Sequence, residues 1–180
     1  MMIDLIIFTI INIVIKLLEI FALSKAPTIN FYLSFTEVVV LIAMFRWNAL
    51  GIVVGIIPLG INLIVLNASL TQYIIYYSGL IFLLINSLWF YIIPKSKISQ
   101  HFSLILIYTL TGYFLIIGGR SLVSLVFKYN FYLTFNQFIL NEVLSVVIGL
   151  IVMAITYLQK TILVDVNAYL LQLHKKDVID

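Results

Sequence analysis

The sequence predicts an all-α membrane protein. Its fold is expected to be a six-transmembrane-helix bundle, N-in and C-in, followed by an amphipathic cytoplasmic helix. Three observations lead there. Of the 180 residues, 64% are hydrophobic and only 9% charged, giving a mean hydropathy of +1.22; a soluble domain is about 25% charged. The apolar stretches are continuous over helical lengths, without the in–out alternation of a barrel strand. The basic residues gather in alternate connections, as the positive-inside rule requires. The 13 Phe and 11 Tyr exclude a disordered chain, and the absence of Cys excludes disulfides, zinc–thiolate sites, iron–sulfur clusters and thiol nucleophiles. The pI near 9.1 follows from basic loops facing a cytoplasm, so nucleic acid is not an expected partner.

The six spans read as Met1–Leu23, Phe31–Phe45, Ala49–Leu66, Tyr73–Ile93, Phe102–Phe127 and Phe131–Leu158. The first lacks a basic leader and a small-x-small cleavage site and carries Lys16 and Glu19 in its second half, so it is expected to persist as a helix. The second is short, about 22 Å of helical rise, and its ends are expected to snorkel or to be buried. With the N-terminus inside, inner connections hold Arg46, Lys95, Lys97, Lys160, Lys175 and Lys176, and outer ones only Lys25 and Lys128. The bundle thus occupies residues 1–160. Residues 161–180 form a tail in which Ile162, Leu163, Val166, Tyr169, Leu170 and Leu173 recur at helical spacing before Lys175 and Lys176, a pattern suited to a membrane surface or a partner.

Ionisable groups inside spans cost about 2.5–3.5 kcal/mol each on insertion scales and usually mark function. In the expected orientation Lys16, Glu19, Glu37, Arg120 and Glu142 all fall in the outer half of the bilayer, five charges from four helices in one depth band. Asn12, Lys16 and Glu19 share a helix face, as do Arg120, Ser124 and Lys128; Asn141, Glu142 and Ser145 sit within about one turn. Tyr76 and Tyr77 bring rings to the same level. Convergent polar groups with aromatic walls suit a small-molecule site. The five charges sum to −1, which favours a zwitterionic or weakly cationic ligand. Arg120 would grip an acidic or carbonyl group, Asn141 and Glu142 would take ligand donors, and Tyr76 or Tyr77 would stack on a ring. The same residues also fit a packing role, with Lys16–Glu19 and Arg120–Glu142 as structural ion pairs and the tyrosines as an interfacial belt.

Gly51 and Gly55, followed by Pro58 and Gly60, make a small-residue surface on the third span, suited to close helix approach. Catalytic signatures are missing: the chain has no Gly-x-Ser-x-Gly, His-Glu-x-x-His or P-loop, and His101 and His174 lie away from the polar band. Binding without catalysis, and without a metal or cofactor, is the expected class. A bias towards Ile, Asn, Lys and Tyr points to a bacterial plasma membrane.

The stretch SFTEVVVLIAMFRWNALGIVVGIIPLGINLIVL, with Arg46 in its turn and Gly51 and Gly55 four apart, resembles helices 2–3 of the S components of energy-coupling factor (ECF) transporters. YTLTGYFLIIGGRSLVSLVFKYN and FILNEVLSVVIGLIVMAITYL resemble helices 5–6 of that family's thiamine-binding branch, and the likeness gives Asn141 a ligand-contacting role. The resemblance implies a subunit that captures a vitamin or vitamin precursor from outside and then joins a transmembrane coupling subunit and two ATPase subunits, with Arg46, Gly51 and Gly55 on the docking side. Two departures stand out: the first helix lacks the family's alanine pair, and QYIIYYSGL lacks the thiamine branch's carboxylate. A non-catalytic structural subunit of the rod-shape-determining type is the alternative. An ion-coupled carrier is disfavoured, because 180 residues make one bundle rather than two gated repeats. Single cysteines test the orientation against a background without native Cys: positions 126–130 are expected to label from outside and positions 95–99 to be protected. The opposite pattern would invert the topology.

Overall fold

A computed structural model of the chain describes residues 2–25, 34–159 and 162–163. It is built of helices: α1 (Met2–Lys25), α2 (Thr36–Trp47), a 3-10 turn (Asn48–Ile52), α3 (Val53–Val65), α4 (Leu70–Leu83), a second 3-10 turn (Leu84–Leu88), the short α5 (Trp89–Ile92) and α6 (Lys95–Gln100), then α7 (Phe102–Val126) and α8 (Phe131–Leu158). No strand occurs among the described residues. By length and composition, five stretches among them can cross a membrane: Ile3–Ala22, Thr36–Val65, Leu70–Ile92, Phe102–Val126 and Phe131–Leu158. Of the expected tail helix only Ile162 and Leu163 are described; residues 164–180, with Lys175 and Lys176, lie outside the described residues, as does Lys160.

The stretch Thr36–Val65 doubles back on itself. Asn48, after the last residue of α2, takes φ 55°, a left-handed conformation that Asn tolerates better than most residues. Residues eight apart on a straight helix would be about 12 Å apart, yet a Cβ on Gly51 would lie 2.2 Å from the Met44 nitrogen and 2.3 Å from the Ala43 carbonyl carbon. Four residues on, a Cβ on Gly55 would meet Val40 Cγ2 at 2.6 Å. Falling residue numbers on α2 against rising ones on α3 make an antiparallel hairpin, and the two glycines permit its backbones to touch. Their surface is therefore used up within the chain, and neither glycine is presented to a partner.

Helix α2 lies at the centre. Every residue from Thr36 to Trp47 except Arg46 is buried, in keeping with a helix that is apolar on all sides. Val38, Leu41, Phe45, Leu83, Tyr108 and Met153 belong to the core around it, which draws on α2, α4, α7 and α8. Helix α7 packs between α4 and α8, and α1 lies on α3 and α2. Helix α1 is inside-out: among its described side chains the buried ones are Asn12, Lys16 and Glu19, whereas Ile6, Ile10, Val14, Leu17 and Phe21 are exposed. This is how a helix facing lipid must be arranged, with its polar stripe turned into the protein.

Asn12 explains how α1 is held. Its Nδ2 donates to the Val54 carbonyl at 3.1 Å. In an unbroken helix that carbonyl would accept from the residue four positions on, but that residue is Pro58, inside α3, which has no N–H. A side chain of α1 satisfies the carbonyl that a proline of α3 leaves open, as apolar surroundings demand. At the far end of α1, Arg46 Nη1 donates to the Ile162 carbonyl at 2.8 Å and its guanidinium lies 5.7 Å from the Phe8 ring and 5.1 Å from Trp47. Arg46 thus ties α1, α2 and the start of the tail together.

The Asn12–Val54 bond is expected to contribute about 0.6–2 kcal/mol, the range for interhelical bonds in membranes. Asn12→Leu is expected to lower stability by about that amount in detergent unfolding titrations. The loss is expected to shrink when Pro58→Ala restores an N–H for Val54. An equal loss in both backgrounds would show that the proline does not set the role of Asn12.

Candidate functional site

The five charges singled out by the sequence meet at one end of the bundle. Lys16, Glu19, Glu37, Arg120 and Glu142 are all between 1% and 7% exposed. On α1, Lys16 Nζ pairs with Glu19 at 2.5 Å and donates to Ser34 Oγ at 3.2 Å. Glu19 Oε1 accepts the backbone N–H of Phe35 at 2.6 Å. That N–H precedes α2, where no side chain of α2 provides a cap, so a carboxylate from another helix serves one of the open donors at this terminus. The Ser34 N–H in turn donates to Ser145 Oγ of α8 at 2.9 Å.

Beside this group stands a second one. The Arg120 guanidinium of α7 is held between two carboxylates: Nη1 bonds Glu142 of α8, and Nη2 bonds Glu37 of α2 at 3.3 Å. Its face lies 4.7 Å from the centre of the Tyr76 ring of α4. Glycine makes room for it, since a Cβ on Gly79 would lie 2.8 Å from Arg120 Nε. The two groups share their supports. Ser34, just before α2, and Glu37 in its first turn are three residues apart, Glu142 and Ser145 three apart on α8, and each pair gives one member to each group. Tyr113 closes the base with its hydroxyl on the Ser145 carbonyl at 3.2 Å. Glu37 Oε2 and Glu142 Oε2 accept no hydrogen bond among the described residues.

Next to the charges, between the first turns of α4 and α8, is a cleft of 210 Å³ lined by Gln72, Tyr76, Tyr129, Thr134, Gln137 and Asn141 along with apolar side chains. Tyr76 is common to both features: it lines the cleft, meets Phe138 edge-on at 6.0 Å and covers Arg120. The Gln72 carbonyl oxygen accepts the Ser69 N–H at 2.7 Å in the capping box of α4, which leaves its NH₂ as the outward-facing group.

The sequence-predicted residues therefore divide. Lys16, Glu19, Glu37, Arg120 and Glu142 form the charge cluster and Tyr76 covers it. Arg120, expected to grip an acidic group of a ligand, grips Glu37 and Glu142 instead. Asn141 lines the cleft and is no part of the ion pairs. Ser124 bonds the Ser121 carbonyl at 2.6 Å and Thr134 Oγ1 at 3.3 Å, which joins α7 to α8. Tyr77 lies outside the site: its hydroxyl donates to the Ile56 carbonyl at 2.9 Å and its ring stacks on Tyr73, so it fastens α4 to α3. Arg46, Gly51 and Gly55 lie away from the charges. Sequence reasoning missed Ser34, Gln72 and Gln137. Gln137 stands one turn before Asn141 on α8, a spacing that could have drawn attention to it; Ser34 lies before α2 begins, where no helical period marks it.

Among the described residues no group of three His, Asp or Glu is placed to hold a metal ion. Comparison with protein families, with characterised proteins and with solved structures finds no match to this chain.

Proposed function

We propose that the chain is a membrane-embedded, non-catalytic subunit that captures a vitamin-like small molecule from outside the cell, in the manner of an ECF S component. In this reading there are six spans, since α2 and α3 each cross as arms of a hairpin, and both termini face the cytoplasm. The end that carries the charge cluster then faces outward. The observation that carries the proposal is a cluster of five buried charges from four helices, whose Arg120 lies under Tyr76, a wall of a cleft with polar and aromatic sides. Insertion of so many charges is costly, and a site whose ring wall, Tyr76, rests on Arg120 gives a reason to keep Arg120 and its carboxylates. Energy would come from a coupling subunit with two ATPases, met at the Arg46 end.

The competing reading, a structural subunit of a membrane complex, is favoured by one observation: both cations of the cluster, Lys16 and Arg120, already have carboxylate partners within the chain. Native mass spectrometry of protein taken directly from bacterial membranes separates the two. The transport reading expects a bound small molecule that is lost in Asn141→Leu while folded yield is kept. A protein free of any small molecule, with partners that survive Asn141→Leu, would favour the structural subunit.

A further inference from the structure

The cleft between α4 and α8 differs in chemistry from the cluster beneath it, and this difference specifies a ligand. None of the five clustered charges lines the cleft. Among the described residues its polar groups are neutral: the amides of Gln72, Gln137 and Asn141, and the hydroxyls of Tyr76, Tyr129 and Thr134. Side-chain amides donate and accept at once. Gln72, whose oxygen already accepts the Ser69 N–H, has its two amide hydrogens left to donate. The walls are rings, Tyr76 and Phe138 at right angles to one another. The 210 Å³ of the cleft is below the ~300–1,000 Å³ of drug-sized sites, so the occupant is about one ring in size.

Charge on the ligand is selected against from both sides. A cation on Tyr76 would have to share its ring with Arg120, already 4.7 Å away, so the ring quadrupole is largely spent on the arginine. An anion would find amides and hydroxyls but no cation among the described lining residues, and Arg120 beneath Tyr76 is engaged by Glu37 and Glu142. A charged group without a partner is expensive to desolvate. Resting on the capture reading above, we infer that the ligand is an uncharged, single-ring heteroaromatic compound with an amide- or lactam-type edge. The edge pairs with Gln72, Gln137 and Asn141, and the ring packs on Tyr76. This departs from the zwitterion or weak cation that the bare charge sum suggests.

Three probes of one shape carry the test: nicotinamide (neutral), nicotinate (anionic) and 1-methylnicotinamide (cationic), alongside uracil and its carboxylated form orotate. Equilibrium binding is measured on the full-length protein in detergent, for the wild type and for Gln137→Leu and Asn141→Leu. Gln137 is exposed and Asn141 half-buried, so both variants are expected to fold. The expected result is binding of a neutral probe with a millimolar or tighter Kd, at least about 10-fold tighter than its charged counterparts, and weakened about 10-fold by either variant. If a charged probe wins and either variant still abolishes its binding, the cleft is a ligand site but the neutral-ring assignment is overturned. If no probe binds, or binding is indifferent to both variants, the neutral-ring assignment is overturned, while the capture reading stands or falls separately on whether native mass spectrometry finds a small molecule that Asn141→Leu removes.

Discussion

Arg120 held between Glu37 and Glu142 is the contact on which the rest of this end of the molecule depends. It joins α7, α2 and α8 at a single guanidinium, and the planar fork of arginine permits two carboxylates to be met at once. Other features follow from keeping that group buried. Tyr76 must lie over its face, position 79 must be glycine, and α4 must approach α7 closely. The second pair, Lys16 with Glu19, extends the same logic to α1, which otherwise turns apolar side chains outward along its length. A buried ion pair gains little over well-packed apolar groups, but removal of one partner leaves a bare charge and is costly. Such a cluster therefore fixes which helices may be neighbours more than it adds stability.

The same economy governs the neutral polar side chains. Buried donors that a soluble protein could leave to water find acceptors here on carbonyls of neighbouring helices. Asn12 serves Val54 opposite Pro58, the Tyr108 hydroxyl serves Leu41, and Asn86, within the 3-10 turn that interrupts α4 and α5, serves Tyr108. Each pairs a buried polar group from one element with a carbonyl of another, so helix packing and the satisfaction of buried donors are solved together.

Much of this was legible in the sequence, for a physical reason. A charge in an apolar run is conspicuous because it is costly, and the alternation of helix direction converts position along the chain into depth. Lys16, Glu19, Glu37, Arg120 and Glu142 could be placed together on those grounds alone. The reading of Phe131–Leu158 as one helix agrees with α8 residue for residue, since Asn130 caps its start. Less legible was what each neutral polar residue does. Tyr76 and Tyr77 are adjacent and alike, yet they point to opposite partners about 100° apart on the helix, one to Arg120 and the other to Ile56. Gly51 and Gly55 announced close approach, but glycine spacing does not say whether the approaching helix belongs to the same chain. Gln72 and Gln137 carried no signal, because amides near helix ends are common and only the fold brings them to one cleft.

The claim that Arg120 and its two carboxylates organise the bundle is tested most directly by a stability cycle in detergent unfolding titrations. Arg120→Met alone strands Glu37 and Glu142 and is expected to cost about 3–5 kcal/mol. Combined with Glu37→Gln and Glu142→Gln, the same change leaves no buried charge unmatched in that group, and most of the loss is expected to return. A triple variant as unstable as Arg120→Met by itself would mean that the three residues are not energetically coupled, and would contradict the account.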